Sequence, residues 1–405
     1  MGITKSDVKI TSMKNQIFIP NIFQSEALKE IDKAISDNEK SFLIVMPPAT
    51  GKTYLAAQWF KMQLKKKPKA RLLYVCHNQD ILSQANDKEF ANCLSEFEIP
   101  RGYYNRSEKN IGQVTFATVQ TLTRNLNKLP SDYFDYIIVD EAHHYRAKSF
   151  ERAIKHFSPK VLLGLTATPY RMDGKSILDI FNKIVYSAQI SSGIKNGLLS
   201  KIKYYFVDND IDFSEIKLNS HGKYDEKDLN KKLCIKEYDD AIIKEYSETV
   251  KQKHNKIKTI CFCATVEHAH RMEKLFNDNG IKAVVLTGKK YSETGKEITI
   301  HDKRRKRIIN MFKNGDYDII FVRDLFNEGM DVPDADCIMM FRPTESSRIF
   351  TQQIGRGLRI AKGKDYLLTL DFTGNCYRCD INYKILDDTR LFSKESFARL
   401  EIWEI

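Results

Sequence analysis

Short runs of β-branched and aliphatic residues recur along the chain with amphipathic stretches between them, and no other feature restricts its fold as much. Apolar runs of about five residues are the length of a strand buried on both faces. Parallel neighbours in a sheet need crossovers of a dozen or more residues, usually helical, and the intervening stretches have that length. In the first half the runs are FLIVM from Phe42, LLYVC from Leu72, VTFAT from Val114, YIIVD from Tyr136, VLLGLTA from Val161 and YYFV from Tyr204. In the second half they are TICFCA from Thr259, AVVLT from Ala283, DIIFV from Asp318, CIMMF from Cys337 and YLLTLD from Tyr366. Two consecutive doubly wound parallel sheets of an α/β protein follow from that order. The stretch from Asp208 to Asn230 is polar and without a strong period, so it reads as the linker. Domain limits of 1–207 and 231–375 are therefore expected around a linker at 208–230, with 376–405 as a tail packing on the second domain.

A chain of 405 residues exceeds one ordinary core, and 42% apolar with 29% charged residues is the balance of a soluble globular protein. No window holds the roughly 18 to 20 uninterrupted apolar residues of a membrane span. The opening MGITKSDVKI lacks the apolar core of a secretory signal, which predicts a cytoplasmic protein; Gly2 and Ser6 match only the loose myristoylation pattern. Lysine and arginine exceed aspartate and glutamate by 65 to 53, giving +12, a surplus that favours a polyanionic partner. Eight basic and three acidic residues fall in GKKYSETGKEITIHDKRRKR from Gly288, either a solvated loop and helix face or a strip that tracks phosphates. Most of the eight cysteines sit in apolar runs; only Cys376 and Cys379 have metal-ligand spacing, and one such pair reads better as free thiols than as a zinc site.

PPATGKT, Pro47 to Thr53, follows the first strand and precedes a stretch with helical apolar spacing. Strand, loop and helix in that order aim backbone N–H groups and the positive helix end at a phosphate chain. Lys52 then reaches the terminal phosphates and Thr53 holds Mg²⁺. YIIVDEAHH ends a buried strand in Asp140 and Glu141, at the sheet edge where open α/β folds bind ligands. There Asp140 completes the magnesium shell and Glu141 takes the proton of an attacking water. Taken alone, the string could also be a helix N-cap.

MPPATGKT, DEAHH, GLTATPYRMDG and QQIGRGLR stand in the order and spacing of motifs I, II, III and VI of the superfamily 2 helicases and translocases, which the chain resembles from Phe23 to about Asn375. The wider context is similar to the branch with the motor subunits of type I and type III restriction enzymes, UvsW-like phage helicases and XPB-like duplex translocases. The resemblance implies two tandem RecA-like domains with an ATP site in the cleft. NIFQSEAL resembles the Q motif, which implies that Gln24 reads adenine. In the loop, Pro48, Ala49, Thr50, Gly51, Lys52 and Thr53 cradle the nucleotide. YVCHNQDILSQA and VTFATVQTL resemble motifs Ia and Ib, giving Thr118 and Gln120 as nucleic-acid contacts, and TICFCATVEHA resembles motif IV, giving Thr265 a phosphate. Thr166 and Thr168, with His143 across the interface, relay the nucleotide state. LFNEGMDVP resembles motif V, with Glu328, Gly329 and Asp331 at its places. Gln352, Arg356 and Arg359 come from motif VI, the arginines as fingers onto ATP held by the first domain. A finger delivered across a cleft makes hydrolysis depend on closure, and contributes about 10³ to 10⁵ in rate.

Two departures stand in the loop. Ala49 costs about 1 kcal/mol or more if its position needs positive φ, and Pro48 stiffens the turn and removes an N–H donor. The expected function is an ATP- and Mg²⁺-dependent helicase or translocase, on DNA by resemblance, with RNA as the other track. A nucleotide-regulated clamp or motor subunit of a restriction or defence complex is the competing class, but it has no need of a general base and a finger. A protein partner that supplies specificity or nuclease activity is expected beside so bare a two-lobe core.

Overall fold

The computed structural model describes residues 19–144, 148–168, 177–178, 180–207, 215–217, 224–233, 236–251, 257–287, 289–291, 297–299, 302–323, 335–344, 346–375, 379 and 399–402. The strands are β1 Ser41–Val45, β2 Leu72–Cys76, β3 Arg101–Tyr104, β4 Val114–Thr118, β5 Tyr136–Val139, β6 Val161–Thr166, β7 Lys183–Ser187 and β8 Lys201–Val207. They continue as β9 Thr259–Phe262, β10 Ala283–Thr287, β11 Lys289–Tyr291, β12 Glu297–Thr299, β13 Ile319–Arg323, β14 Cys337–Met340, β15 Tyr366–Asp371 and β16 Arg399–Ile402. Among the described residues, one seven-stranded sheet runs β3-β4-β2-β5-β6-β1-β7, and a second runs β10-β13-β9-β14-β15-β8-β16. Every pairing in the first is parallel; in the second only β16 runs against its neighbour, β8.

Both faces of each sheet are buried, which is why the strands read as unbroken apolar runs. On β1, Phe42 and Ile44 join one core with Leu72 and Tyr74, while Leu43 and Val45 join the opposite one with Leu73 and Val75. On β9, Ile260 and Phe262 face one way and Cys261 the other. Each large aliphatic or aromatic side chain so buried contributes roughly 1.5 to 3 kcal/mol. β6 lies between β1 and β5, with Val45 opposite Thr166 and Val139 opposite Gly164. Three adjacent parallel strands therefore deliver the phosphate loop, Thr166 and Asp140 to one edge.

Several expectations need correction. The strand placed in the first half at YYFV is β8, and it pairs with β15, so it belongs to the second sheet. Its local sequence carries no mark of which sheet it joins. β3 and β7 escaped notice because each is an edge strand with broken apolar content, half-exposed along β7. The basic stretch from Gly288 holds the hairpin of β11 and β12 and then the helix Asp302–Asn314. Within the expected linker a helix, Glu226–Leu233, has already begun, with Asp225 accepting from the N–H groups of Lys227 and Asp228 and only Leu229 and Leu233 to bury. The tail contributes β16 to the second sheet. Gly2, Ser6 and Cys376 lie outside the described residues. Cys379 is buried with its thiol donated to Thr344 O.

Candidate nucleotide cleft

The helix Lys52–Lys66 begins after Gly51, which sits at φ +83° and offers no side-chain cap. Its first N–H groups and the positive end of its dipole are thus left to an anion. Ala49 adopts φ +65°, the left-handed region, so the alanine strain foreseen from the sequence is present in the backbone. Met46 is fully buried, its N–H bonded to Thr166 O at 3.0 Å. Lys52 Nζ turns back onto its own loop, 3.2 Å from Met46 O and 3.3 Å from Pro47 O.

Gln24 stands behind this loop, outside the cleft. Its Oε1 accepts from Asn21 N, and its Nε2 donates to the carbonyls of Thr50 and Gly51, each at 3.2 Å. The positive φ favours glycine at position 51, and a Cβ there would also press on that amide. Gln24, the residue that the Q-motif resemblance places at adenine, braces the phosphate loop through its side-chain amide.

Asp140 is buried at the end of β5. Its Oδ1 accepts from Glu141 N at 2.9 Å, and its Oδ2 accepts from the Tyr74 hydroxyl. Burial, and then the neighbouring Glu141 charge, lift its carboxyl to about 6. Glu141 follows at φ +51°, and its buried Oε2 has no hydrogen-bond partner among the described residues. Such a carboxylate oxygen can accept a proton from water. Thr53 and Asp140 face the same cavity, and hard hydroxyl and carboxylate oxygens suit Mg²⁺ shared with phosphate oxygens.

From the second lobe, the helix Ser347–Gly355 points its C-terminal end at the loop. Gly355 lies so close to Pro48 that an added Cβ would stand 2.5 Å from the proline Cβ. Arg356 and Arg359 line the same cavity of about 440 Å³ as Lys52, Thr53, Asp140 and Glu141. Lys364 holds the arginine segment in shape by donating to Ala335 O at 2.6 Å, and to the carbonyls of Gly357 and Arg359. Arg305 and Asp80 add a cross-lobe pair at 2.7 Å.

A chain of hydrogen bonds crosses the interface. Thr166 Oγ1 donates to Thr168 O at 2.7 Å, so toward His143 Nδ1, also 2.7 Å away, it accepts. The His143 proton therefore sits on Nδ1, leaving Nε2 to accept from Gln352 Nε2 at 3.3 Å. Burial, and then the charges of Arg348, Lys52 and His77, push the imidazole well below its usual value, so it is neutral. Its 3.5 Å approach to Glu141 is accordingly a dipolar contact and not an ion pair.

Thr118 and Gln120 line a second cavity of about 400 Å³ on the first lobe, together with His77, Arg106, Lys109 and Arg124. Thr265 is not exposed to any groove: it caps the helix Val266–Asp278, accepting from His268 N and donating to Asn230. Glu328, Gly329 and Asp331 lie outside the described residues. Pro48, Ala49 and Gly51 line the nucleotide cleft, while Thr50 is buried with its hydroxyl bonded to Pro47 O at 2.7 Å. Sequence reasoning missed Tyr54, Gln84, Lys88 and Glu89 in the cleft wall, and Tyr74 behind it. Only the tyrosine left a signal, a phenol in an otherwise apolar strand.

Residues 18–171 match the type III restriction enzyme res subunit family, and residues 238–361 match the helicase conserved C-terminal domain. The chain belongs to the superfamily 2 helicases and translocases. A Saccharomyces cerevisiae relative, provisionally named as the ATP-dependent helicase IRC3, is 30% identical over 369 residues, 87% of this chain and 51% of its own. The type I restriction enzyme EcoAI endonuclease subunit of Escherichia coli is 27% identical over 87% of this chain and 46% of its own length. The DNA 3'-5' translocase XPB2 of Sulfurisphaera tokodaii is 27% identical over 85% and 80%. This helicase-family chain thus spans about half the length of the first two. Among solved structures, a fragment provisionally assigned as an HsdR subunit of a type I restriction enzyme from Vibrio vulnificus YJ016 shares the fold at TM-score 0.68 and 23% identity, over 91% of this chain and 67% of that one. No described helix is long and apolar enough to cross a membrane.

Proposed function

We propose that the protein is an ATP-driven motor on DNA, a helicase or translocase, that burns Mg-ATP between its two lobes. The observation that carries this reading is the convergence of Lys52, Asp140 and Glu141 from one lobe with Arg356 and Arg359 from the other on a single cavity. Lys52, with Ala49, Gly51 and the first turn of the Lys52–Lys66 helix, takes the phosphate chain; Thr53 and Asp140 hold Mg²⁺, which neutralises phosphate charge. Glu141 receives the proton of the attacking water, and the arginines stabilise the charge that develops on the transferred phosphoryl. His143, Thr166, Thr168 and Gln352 tie that chemistry to lobe closure. Thr118 and Gln120 contact the backbone of the track, and sequence-independent phosphate contacts suit a motor that must pass every base. The lobes divide before Lys201, ahead of β8. DNA as track is supported by the translocase relative and by the restriction-enzyme relatives; a partner that adds specificity is supported by the latter.

ATPase turnover measured without nucleic acid and with single-stranded DNA, duplex DNA and RNA tests the reading, with Lys52→Ala and Glu141→Gln beside the wild type. Stimulation by DNA, a loss of at least about 100-fold in Glu141→Gln with ATP still bound, and no turnover in Lys52→Ala are expected. Hydrolysis that no nucleic acid alters, or that survives Lys52→Ala, refutes it. Strand displacement then separates helicase from translocase.

A further inference from the structure

Tyr74 is fully buried in β2, where its ring is wedged edge-on against Phe90 at 5.4 Å and tilted against Phe116 at 5.6 Å. The apolar environment would be filled as well by phenylalanine, without the cost of desolvating a hydroxyl. That hydroxyl nevertheless meets a carboxylate of the cleft wall. It donates to Asp140 Oδ2. A single phenol thus holds one of the two residues whose oxygens suit Mg²⁺. β2 lies directly beside β5, with Tyr74 opposite Ile138 and Val75 O accepting from Asp140 N at 2.9 Å, so the backbone fixes the two partners in register.

We infer that Tyr74 is a positioning residue for the magnesium site, locking the Asp140 carboxylate into metal-binding orientation before any ion arrives. The inference rests on the nucleotide reading above and adds to it a residue that opens the motif Ia-like string YVCHNQDILSQA but was given no role there. The chemistry is specific. With Oδ2 held by the phenol and Oδ1 by Glu141 N–H, the carboxylate cannot swing about its χ2 axis, and each oxygen still has a lone pair for an ion or its water. Partners of this kind behind a metal ligand typically govern about 10- to 100-fold in metal affinity.

The test uses the full chain and a fluorescent ADP analogue. Its binding is followed with EDTA and through a Mg²⁺ series, for the wild type and Tyr74→Phe. The expected result is unchanged affinity in EDTA and a Mg²⁺ requirement raised about 10-fold in Tyr74→Phe. An unchanged or lowered Mg²⁺ requirement overturns the inference while leaving the nucleotide reading intact; a wild type that binds no analogue overturns both. Fluorotyrosine placed at position 74 keeps ring and hydroxyl and so covers the case of a misfolded phenylalanine variant. Its ¹⁹F resonance should move when Mg²⁺ is added to the ADP complex, and a resonance that ignores the ion overturns the inference.

Discussion

Gly355→Ala adds one methyl group where the two lobes touch. The new Cβ would stand 2.5 Å from Pro48 Cβ and 2.8 Å from its Cγ, whereas carbon atoms in contact settle at about 3.5 to 4.0 Å. Pro48 cannot step aside by rotation, because its atoms belong to a ring fused to the phosphate loop. The lobes must therefore part locally by about 1 Å or more. Arg356 is the next residue and Arg359 follows in the short segment after the helix, so the displacement falls on the two groups that would neutralise the transferring phosphoryl. A misplacement of that size costs on the order of 100-fold in rate, about 2.7 kcal/mol. Fold stability is not the expected casualty, since alanine is the better helix former by about 1 kcal/mol. Steady-state ATPase with saturating DNA should show kcat down about 100-fold, with binding of a nucleotide analogue in the first lobe nearly unchanged. Pro48→Gly in the same chain removes the opposing ring and should restore part of the loss, a coupling that a double-mutant cycle measures. Turnover of Gly355→Ala within a factor of about two of wild type would sink the argument that this contact sets closure.

Two other perturbations test the cleft. Asp140, raised to about 6 from an ordinary value near 3.8, makes the metal-free protein more stable at low pH, and that contribution is lost as pH rises through about 6. Mg²⁺ needs the ionised form, so Mg²⁺-dependent nucleotide affinity should be flat above about pH 7 and fall roughly tenfold per unit below about 6; calorimetric titration of wild type and Asp140→Asn checks it, and a flat profile through pH 5 contradicts it. At Ala49, glycine relieves about 1 kcal/mol of left-handed strain and valine adds to it. Nucleotide binding should tighten by no more than about fivefold in Ala49→Gly and weaken in Ala49→Val; equal affinity in all three proteins would show that the strain is not felt at the site.

Much of this protein was legible in one dimension. The apolar runs declared two parallel sheets, because a strand buried on both faces must be apolar at successive residues, and that information is local. The loop at Pro47 to Thr53, the carboxylates after Val139 and the arginines after Gly355 declared a phosphate chemistry, because each role needs a particular functional group at a strand end or helix start. Only the tertiary structure decided which sheet owns Lys201–Val207, since its partner at Tyr366–Asp371 is distant in sequence and no local pattern names it. It also showed Gln24 bracing the phosphate loop and Thr265 capping a helix, contacts that no local pattern names. Tyr74 showed in the sequence only as a phenol in an apolar strand, and its role stayed hidden until its hydroxyl met Asp140. Periodicity and residue type determine what each segment can become, while hydrogen-bond partners are chosen by three-dimensional proximity across strands and lobes, which the sequence encodes only through the whole fold.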